Sequence, residues 1–139
     1  MSFFKMRADK ADTLFSRFIR LRDKACKRCG RRGEGAEGIS GLHCSHFHSR
    51  RKEGTRFDEK NCDTLCFSCH QAWEHEKIDR TGSLRDYGTW KLAQLGKFEF
   101  DLLMLRANTY AKKDRKLSLL IVKQLMKTLP AEKVMGEKA

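Results

Sequence analysis

Two C-x-x-C pairs, Cys26 with Cys29 and Cys66 with Cys69, constrain most strongly what this chain can fold into. At this spacing, two thiolates on a tight turn reach one tetrahedral zinc ion at about 2.3 Å. In an exported protein, the six cysteines of the chain would instead suit three disulfides. The N-terminus, however, lacks the apolar core of a signal peptide, and no later segment is apolar for long enough to cross a membrane. We therefore expect a cytoplasmic protein with no membrane partner, in which these four cysteines bind structural Zn²⁺.

The charge of the chain predicts a polyanionic partner. Lys and Arg total 30 residues against 18 Asp and Glu, which gives a formal net charge of +12. Such an excess favours nucleic acid, because each phosphate that a cation neutralises releases condensed counterions. We therefore expect the partner to be DNA.

The length of 139 residues and the hydrophobic content of 40% predict a single domain, residues 1–139. All cysteines and histidines fall within 9–80, which we take as the core that carries zinc and chemistry. Residues 81–130 read as a helical C-terminal extension. The remaining segments are expected to be a loosely held arm at 1–8 and a disordered tail at 131–139.

Hydrophobic periodicity and capping signals predict the elements of this domain. In chain order they are a helix from Asp9 or Asp12 to Lys24, a strand at 39–47, a return strand at 61–65, a helix at 68–76, a helix ended by Gly96, a helix at 98–109 and a helix at 114–129 before Pro130. The sequence thus predicts a hairpin and a helix between two helical parts.

Three polar residues within 9–80 have a characteristic spacing along the sequence. Asn61 follows His46 by fifteen positions, and His70 follows Asn61 by nine and comes directly after the second C-x-x-C pair. This pattern resembles the HNH (His-Asn-His) endonuclease family, chiefly in the runs FIRLRDKACKRCG and N-x-x-x-L-C-x-x-C-H. The resemblance covers about 14–76. Within the family, SHF followed by SRR and TRFD is similar to the phage-associated branch that includes lambdoid recombination proteins, which implies phage or recombination proteins as further partners.

The resemblance implies a small α+β fold of the ββα-metal, treble-clef-like kind, a zinc-stapled hairpin and helix with one helix before it and a mostly helical part after it. It also implies roles for the three residues. His46 is the general base, Asn61 ties down the hairpin loop and so orients that base, and His70 binds a catalytic Mg²⁺ or Mn²⁺ ion. Many members place an aspartate before the base as a metal ligand, but here that position is Ser45.

Other side chains are therefore candidates for the second ligand of the catalytic metal. Glu74 lies four residues after His70 on the same helical face and is the one we favour. His43 and His48, near the base, are alternatives. Cys44 and Cys62 are expected to be small buried residues of the hairpin rather than ligands.

Two basic groups are expected to contact DNA: a stripe on the first helix and a loop inside the hairpin. They comprise Arg17, Arg20 and Lys24, and Arg50, Arg51, Lys52 and Arg56. A solvated helix face is the alternative for the stripe. Arg22 falls within the apolar arc of the same helix, so we expect it to be partly buried and paired with a carboxylate.

These observations predict a metal-dependent DNA endonuclease that nicks duplex DNA. The alternative is a non-catalytic zinc module that binds nucleic acid, which Ser45 keeps open. A third reading, an interaction protein acting through its C-terminal helices, is compatible with either. We expect a monomer, with a dimer through Leu117, Leu120, Ile121 and Leu125 as the other option.

Overall fold

The computed structural model describes residues 9–135, which form a small α+β fold built on one two-stranded hairpin. Strand β1 (Leu42–His46) pairs antiparallel with β2 (Cys62–Cys66), so that Leu42 lies opposite Cys66 and His46 opposite Cys62. The helices, in chain order, are α1 (Lys10–Asp23), α2 (Glu53–Arg56), α3 (Phe67–Trp73), α4 (Asp86–Leu95), α5 (Lys97–Ala107), α6 (Arg115–Lys127) and α7 (Ala131–Met135). The predicted fold class is confirmed.

Helix α1 begins at a reciprocal cap. The Asp9 carboxylate accepts from the backbone N–H of Asp12, and the Asp12 carboxylate accepts from that of Asp9, each at 3.0 Å. The helix ends at Asp23, and the next residue, Lys24, caps it with a left-handed φ of +60°. The apolar side of α1 packs on the hairpin around Cys62 and on Val122 of α6.

The opposite face of the hairpin packs on the C-terminal helices. Phe47 and Leu65 of the hairpin share a core with Trp73, Tyr87 and Phe100. The rings of Trp73 and Tyr87 stack at 4.5 Å between centroids. The hairpin is thus covered by α1 on one face and by α4 and α5 on the other.

A buried polar network also joins α4 to β2. Both Asp63 and Lys91 are 1% exposed or less, and their side chains meet at 3.0 Å. Tyr87 donates its hydroxyl proton to the same carboxylate at 2.7 Å, and Gln94 approaches it at 3.4 Å. Because a buried carboxylate is costly without partners, the C-terminal helices are part of the core's structure.

Several expected boundaries differ from the observed ones. Helix α3 ends at Trp73 rather than at residue 76. The segment expected to be disordered from 131 forms helix α7, whereas the expected arm at 1–8 and the last residues, 136–139, lie outside the described residues. Within the described range, no helix is long and apolar enough to span a membrane.

Candidate functional site

The four cysteines of the two C-x-x-C pairs converge on one point. Their sulfur atoms all lie within 4.8 Å of one another, and those of Cys29 and Cys66 are 3.8 Å apart. Four sulfurs placed tetrahedrally at the usual Zn–S distance would be separated by about 3.8 Å. The cluster therefore fits a structural zinc ion.

Backbone hydrogen bonds hold the first cysteine pair against the hairpin. Lys27 donates its N–H to the carbonyl of Thr64 in β2 at 2.8 Å, and Gly30 donates to the carbonyl of Cys26 at 2.8 Å. Gly30 closes this turn with a φ of +81°, where a side chain would be strained. A zinc ion here would fasten the segment after α1 to β2 and α3.

His46, the last residue of β1, lies in a cleft beside this hairpin. Its Nε2 is 3.1 Å from the backbone carbonyl of Arg56. A carbonyl only accepts, so Nε2 carries the proton and Nδ1 of the neutral ring keeps a free lone pair. Burial lowers the pKa of His46 to about 4, which keeps the ring neutral at pH 7.

Asn61 closes the loop that links the two strands. Its amide nitrogen donates to the carbonyls of His48 at 2.9 Å and Thr55 at 3.1 Å, and its oxygen accepts from the N–H of His48 at 2.8 Å. The side chain is completely buried. These three bonds fix both ends of the loop that presents the Arg56 carbonyl to His46.

Arg56 was expected to contact DNA, and that expectation is wrong. The side chain is 4% exposed, and its Nε donates to the Asp12 carboxylate at 2.9 Å. Its guanidinium also contacts Glu53 at 3.3 Å. Arg56 is a structural residue that ties the loop to α1. The sequence pattern identified Asp12 only as a candidate helix cap.

His70 lies in α3 between two potential partners. Its Nδ1 is 3.1 Å from Nδ1 of His43, and its Nε2 is 3.6 Å from the carboxylate of Glu74. Burial lowers the pKa of His70, which favours the neutral, ligand-competent ring. The backbone of His48, the remaining alternative ligand, forms hydrogen bonds with the side chain of Asn61.

Ser45 takes no part in the cleft. It is 3% exposed and lies opposite Asp63 in the hairpin. Its hydroxyl interacts with Tyr87, on the face covered by α4. An aspartate at 45 would place a second carboxylate across from buried Asp63, so the neutral serine suits this packing.

The cleft itself has a volume of about 620 Å³ and brings together chemically distinct groups from three segments. His46, His70 and Glu74 line it, and so do four basic side chains, Arg20, Arg50, Arg51 and Lys77. Such a lining suits a phosphate group beside an imidazole base and a set of metal-binding donors.

Lys77 is a residue that sequence reasoning missed, because it lies one position beyond the expected end of a helix. Its ammonium donates to the backbone carbonyl of His46 at 3.0 Å. Burial lowers its pKa from the ordinary value of lysine. A lysine seven residues after His70 gives no signal in sequence until the chain is folded.

The basic stripe on α1 is shorter than predicted. Lys24 is 5% exposed, and its ammonium donates to the backbone carbonyl of Glu37, so it does not belong to an exposed DNA-binding face. Arg17 is paired with the Glu37 carboxylate, 3.1 Å from its Nε. Arg22 is paired with Asp23 at 2.8 Å, as the apolar arc predicted.

The other predicted DNA contacts remain accessible to differing degrees. Arg20 and Arg50 are half-buried in the cleft wall, and Arg50 lies 3.8 Å from the Asp12 carboxylate. Arg51 and Lys52 are exposed. The basic surface is therefore concentrated at the cleft rather than spread along the helix.

A hairpin and a helix joined by four cysteines that could hold zinc, with two histidines facing a basic cleft, define a ββα unit suited to phosphate chemistry. Residues 26–76 match the model of the HNH endonuclease family. No curated protein and no solved structure matches the chain. The likeness to the phage-associated branch stays a prediction.

Proposed function

We infer that this protein is a metal-dependent DNA endonuclease that hydrolyses phosphodiester bonds with His46 as its general base. The observation that carries this inference is the position of His46: a neutral ring, held through Nε2, in the same cleft as His70 and Glu74. The match of residues 26–76 to the HNH family supports a nuclease. The net charge of +12 supports DNA as its substrate.

In the proposed reaction, Nδ1 of His46 takes a proton from the attacking water. The Arg56 carbonyl fixes the ring plane, and Asn61 fixes the loop that carries this carbonyl. The role of Asn61 is thus to position the base rather than to touch the substrate. A base held in this way is expected to contribute roughly 10²- to 10⁴-fold to the rate.

His70 and Glu74 are the proposed ligands of the catalytic metal. Their donor atoms, Nε2 of His70 in α3 and a carboxylate oxygen of Glu74 directly after α3, lie 3.6 Å apart, which fits a shared divalent ion. Mg²⁺ or Mn²⁺ bound there would stabilise negative charge on the leaving oxygen. Mn²⁺ is the better fit, because it accepts an imidazole more readily than Mg²⁺ does.

His43 is better suited to orient His70 than to replace Glu74 as a ligand. The two Nδ1 atoms are 3.1 Å apart, and in the arrangement that we propose His70 donates its Nδ1 proton to His43, which leaves Nε2 of His70 without a proton. Metal-binding histidines commonly donate their second N–H to such a partner. We expect His43→Ala to weaken metal affinity by about 10- to 100-fold.

The test is incubation of supercoiled plasmid with the purified protein and Mn²⁺ or Mg²⁺, with EDTA as a negative control. His46→Ala is expected to lower turnover by about 10²-fold or more while retaining Mn²⁺ binding. His75→Ala is the matched control, since His75 is exposed near the end of α3. Equal loss of activity in both variants would reject His46 as the base. Cleavage in EDTA would reject the metal requirement.

The same time course tests the monomer that we propose. One chain carries one His46 and one His70, so cutting both strands takes two binding events or a two-fold dimer. Open circles should accumulate ahead of linear DNA. Linear product from the first time points would indicate a dimer, for which the exposed Leu117, Leu120 and Ile121 of α6 offer a surface.

A non-catalytic nucleic-acid-binding module is the second candidate, because buried Ser45 leaves strand β1 without a carboxylate for the metal. This candidate predicts salt-dependent DNA binding by the wild type with no cleavage under any divalent ion. A cytoplasmic location and phage or recombination proteins as partners remain expectations, and both are compatible with the proposed endonuclease.

A further inference from the structure

A second group of soft donors lies in the hairpin, apart from the four-cysteine cluster. The ligand atoms of Cys44, His46 and Cys62 all lie within 4.8 Å of one another. The register explains the group, since Cys44 and His46 point to the same face of β1 and Cys62 is paired with His46 across the hairpin. Cys62 is completely buried, whereas Cys44 and His46 line the cleft.

We propose that Cys44, His46 and Cys62 form a binding site for Zn²⁺ or a similar thiophilic divalent ion, and that occupation of this site withdraws His46 from catalysis. Two thiolates and an imidazole select such ions over Mg²⁺ and Mn²⁺, which prefer oxygen ligands. Three protein donors would leave the fourth tetrahedral position to water, and two of the three, Cys44 and His46, line the cleft from which water could reach it.

Binding is balanced in protons and charge. Zn²⁺ replaces the two thiol protons of Cys44 and Cys62, which pass to solvent, and the neutral imidazole contributes its lone pair without losing a proton. The site therefore weakens as the pH falls. No oxidant or other reactant takes part.

The inhibition follows from which nitrogen of His46 is free. Nε2 is held at 3.1 Å from the Arg56 carbonyl, so the donor toward the metal is Nδ1. That lone pair is the one a general base requires, and it cannot hold a zinc ion and accept a proton at once. The inhibitory consequence rests on the proposed function, whereas the metal site itself does not.

The site is tested first by counting thiolate ligands. The full chain is titrated with Co²⁺, whose thiolate charge-transfer absorption reports bound sulfur and is blind to a site made of His70 and Glu74. The wild type should reach the intensity of six thiolates per chain, and Cys44→Ser that of four. Elemental analysis should find one zinc ion fewer in Cys44→Ser. Equal intensity and equal zinc in both proteins would overturn the proposal.

Cys44→Ser is chosen because Cys44 is partly exposed, and its melting temperature is compared with that of the wild type. The His46→Asn variant removes a different donor and leaves both thiols in place. It should also lose the extra ion. His48→Asn is the matched control, since His48 lies two residues after His46 and outside the cluster. The His48→Asn variant should keep the ion. Loss of the ion in His48→Asn alone would reject this donor set.

Inhibition is tested by adding Zn²⁺ to Mn²⁺-supported plasmid cleavage. Zinc should lower the wild-type rate by about 10²-fold, the contribution expected of the base, and leave Cys44→Ser within a few fold of its own rate. Equal inhibition of both would place the inhibitory ion elsewhere and overturn this part of the proposal. A wild type with no cleavage under any ion would defeat the proposed function, while the thiolate count would still decide the metal site.

Discussion

Arg56 Nε donates a hydrogen bond to the Asp12 carboxylate at 2.9 Å, across 44 positions of sequence. The backbone carbonyl of the same arginine contacts Nε2 of His46. Helix α1, which lies wholly before the segment that matches the HNH family, thereby holds the group that orients the proposed base.

Replacement of Asp12 by alanine should therefore destabilise the protein and slow cleavage together. It leaves the guanidinium of Arg56 buried without its main partner, which typically costs about 3–5 kcal/mol. Urea denaturation measures this loss, and Thr13→Ala, at the exposed next position, serves as the control. A decrease of less than about 1 kcal/mol in the free energy of unfolding would mean that other partners replace Asp12 for Arg56.

Removal of one zinc ligand should cost folding rather than only rate. The Cys66→Ser variant loses a donor from β2 at the start of α3, and with it the tie to the segment after α1. We expect loss of zinc and of a cooperative thermal transition. Ser68→Ala, an exposed position in the same turn, should retain both. A zinc-free Cys66→Ser protein that melts like the wild type would overturn the structural assignment.

Acid should destabilise the fold through His48. Burial lowers its pKa to about 4, from an ordinary value of 6.5. Above pH 6.5 the ring is neutral in both states. Between pH 6.5 and 4 only the unfolded chain binds the proton, so stability falls as the pH falls, by about 1.4 kcal/mol per pH unit.

His48→Gln should remove this part of the acid dependence, and His75→Gln, at an exposed position, should not. The free energy of unfolding is compared for the three proteins at pH 7 and pH 4.5. A His48→Gln protein that loses as much stability as the wild type over this interval contradicts the assignment.

The salt dependence of DNA binding should depend on the cleft arginines and not on Lys24. If Arg20, Arg50 and Arg51 each neutralise one phosphate, replacing all three by glutamine should make the slope of log K against log salt shallower by about 2.7. Arg85→Gln, outside the cleft and paired with Glu76 at 3.0 Å, is the control. An unchanged slope in the triple variant would place the DNA elsewhere.

The sequence was most informative where spacing is local. The strand and helix signals, together with the resemblance carried by His46, Asn61 and His70, predicted a hairpin and a helix, and the structure has them at Leu42–His46, Cys62–Cys66 and Phe67–Trp73. The candidate second ligand, Glu74, could also be proposed from helical spacing alone.

The errors concern charged side chains with distant partners. Helical periodicity placed Lys24 on the polar side of α1, but the left-handed turn at its own position directs it to the carbonyl of Glu37, 13 residues away. Arg56 read as part of a basic loop because its partner Asp12 lies on another element. Exposure of a charge depends on such pairings, which spacing does not encode.

The carboxylate of Asp63, buried in β2, takes its partners Tyr87 and Lys91 from a helix that begins ten residues after the family match ends. A chain cut after residue 80 would keep every cysteine and histidine. It would nevertheless leave the Asp63 carboxylate in an apolar interior without these partners. The segment that matches the HNH family is therefore shorter than the unit that can fold. Grafting residues 26–76 onto another protein would transfer the motif without the neighbours that let it persist.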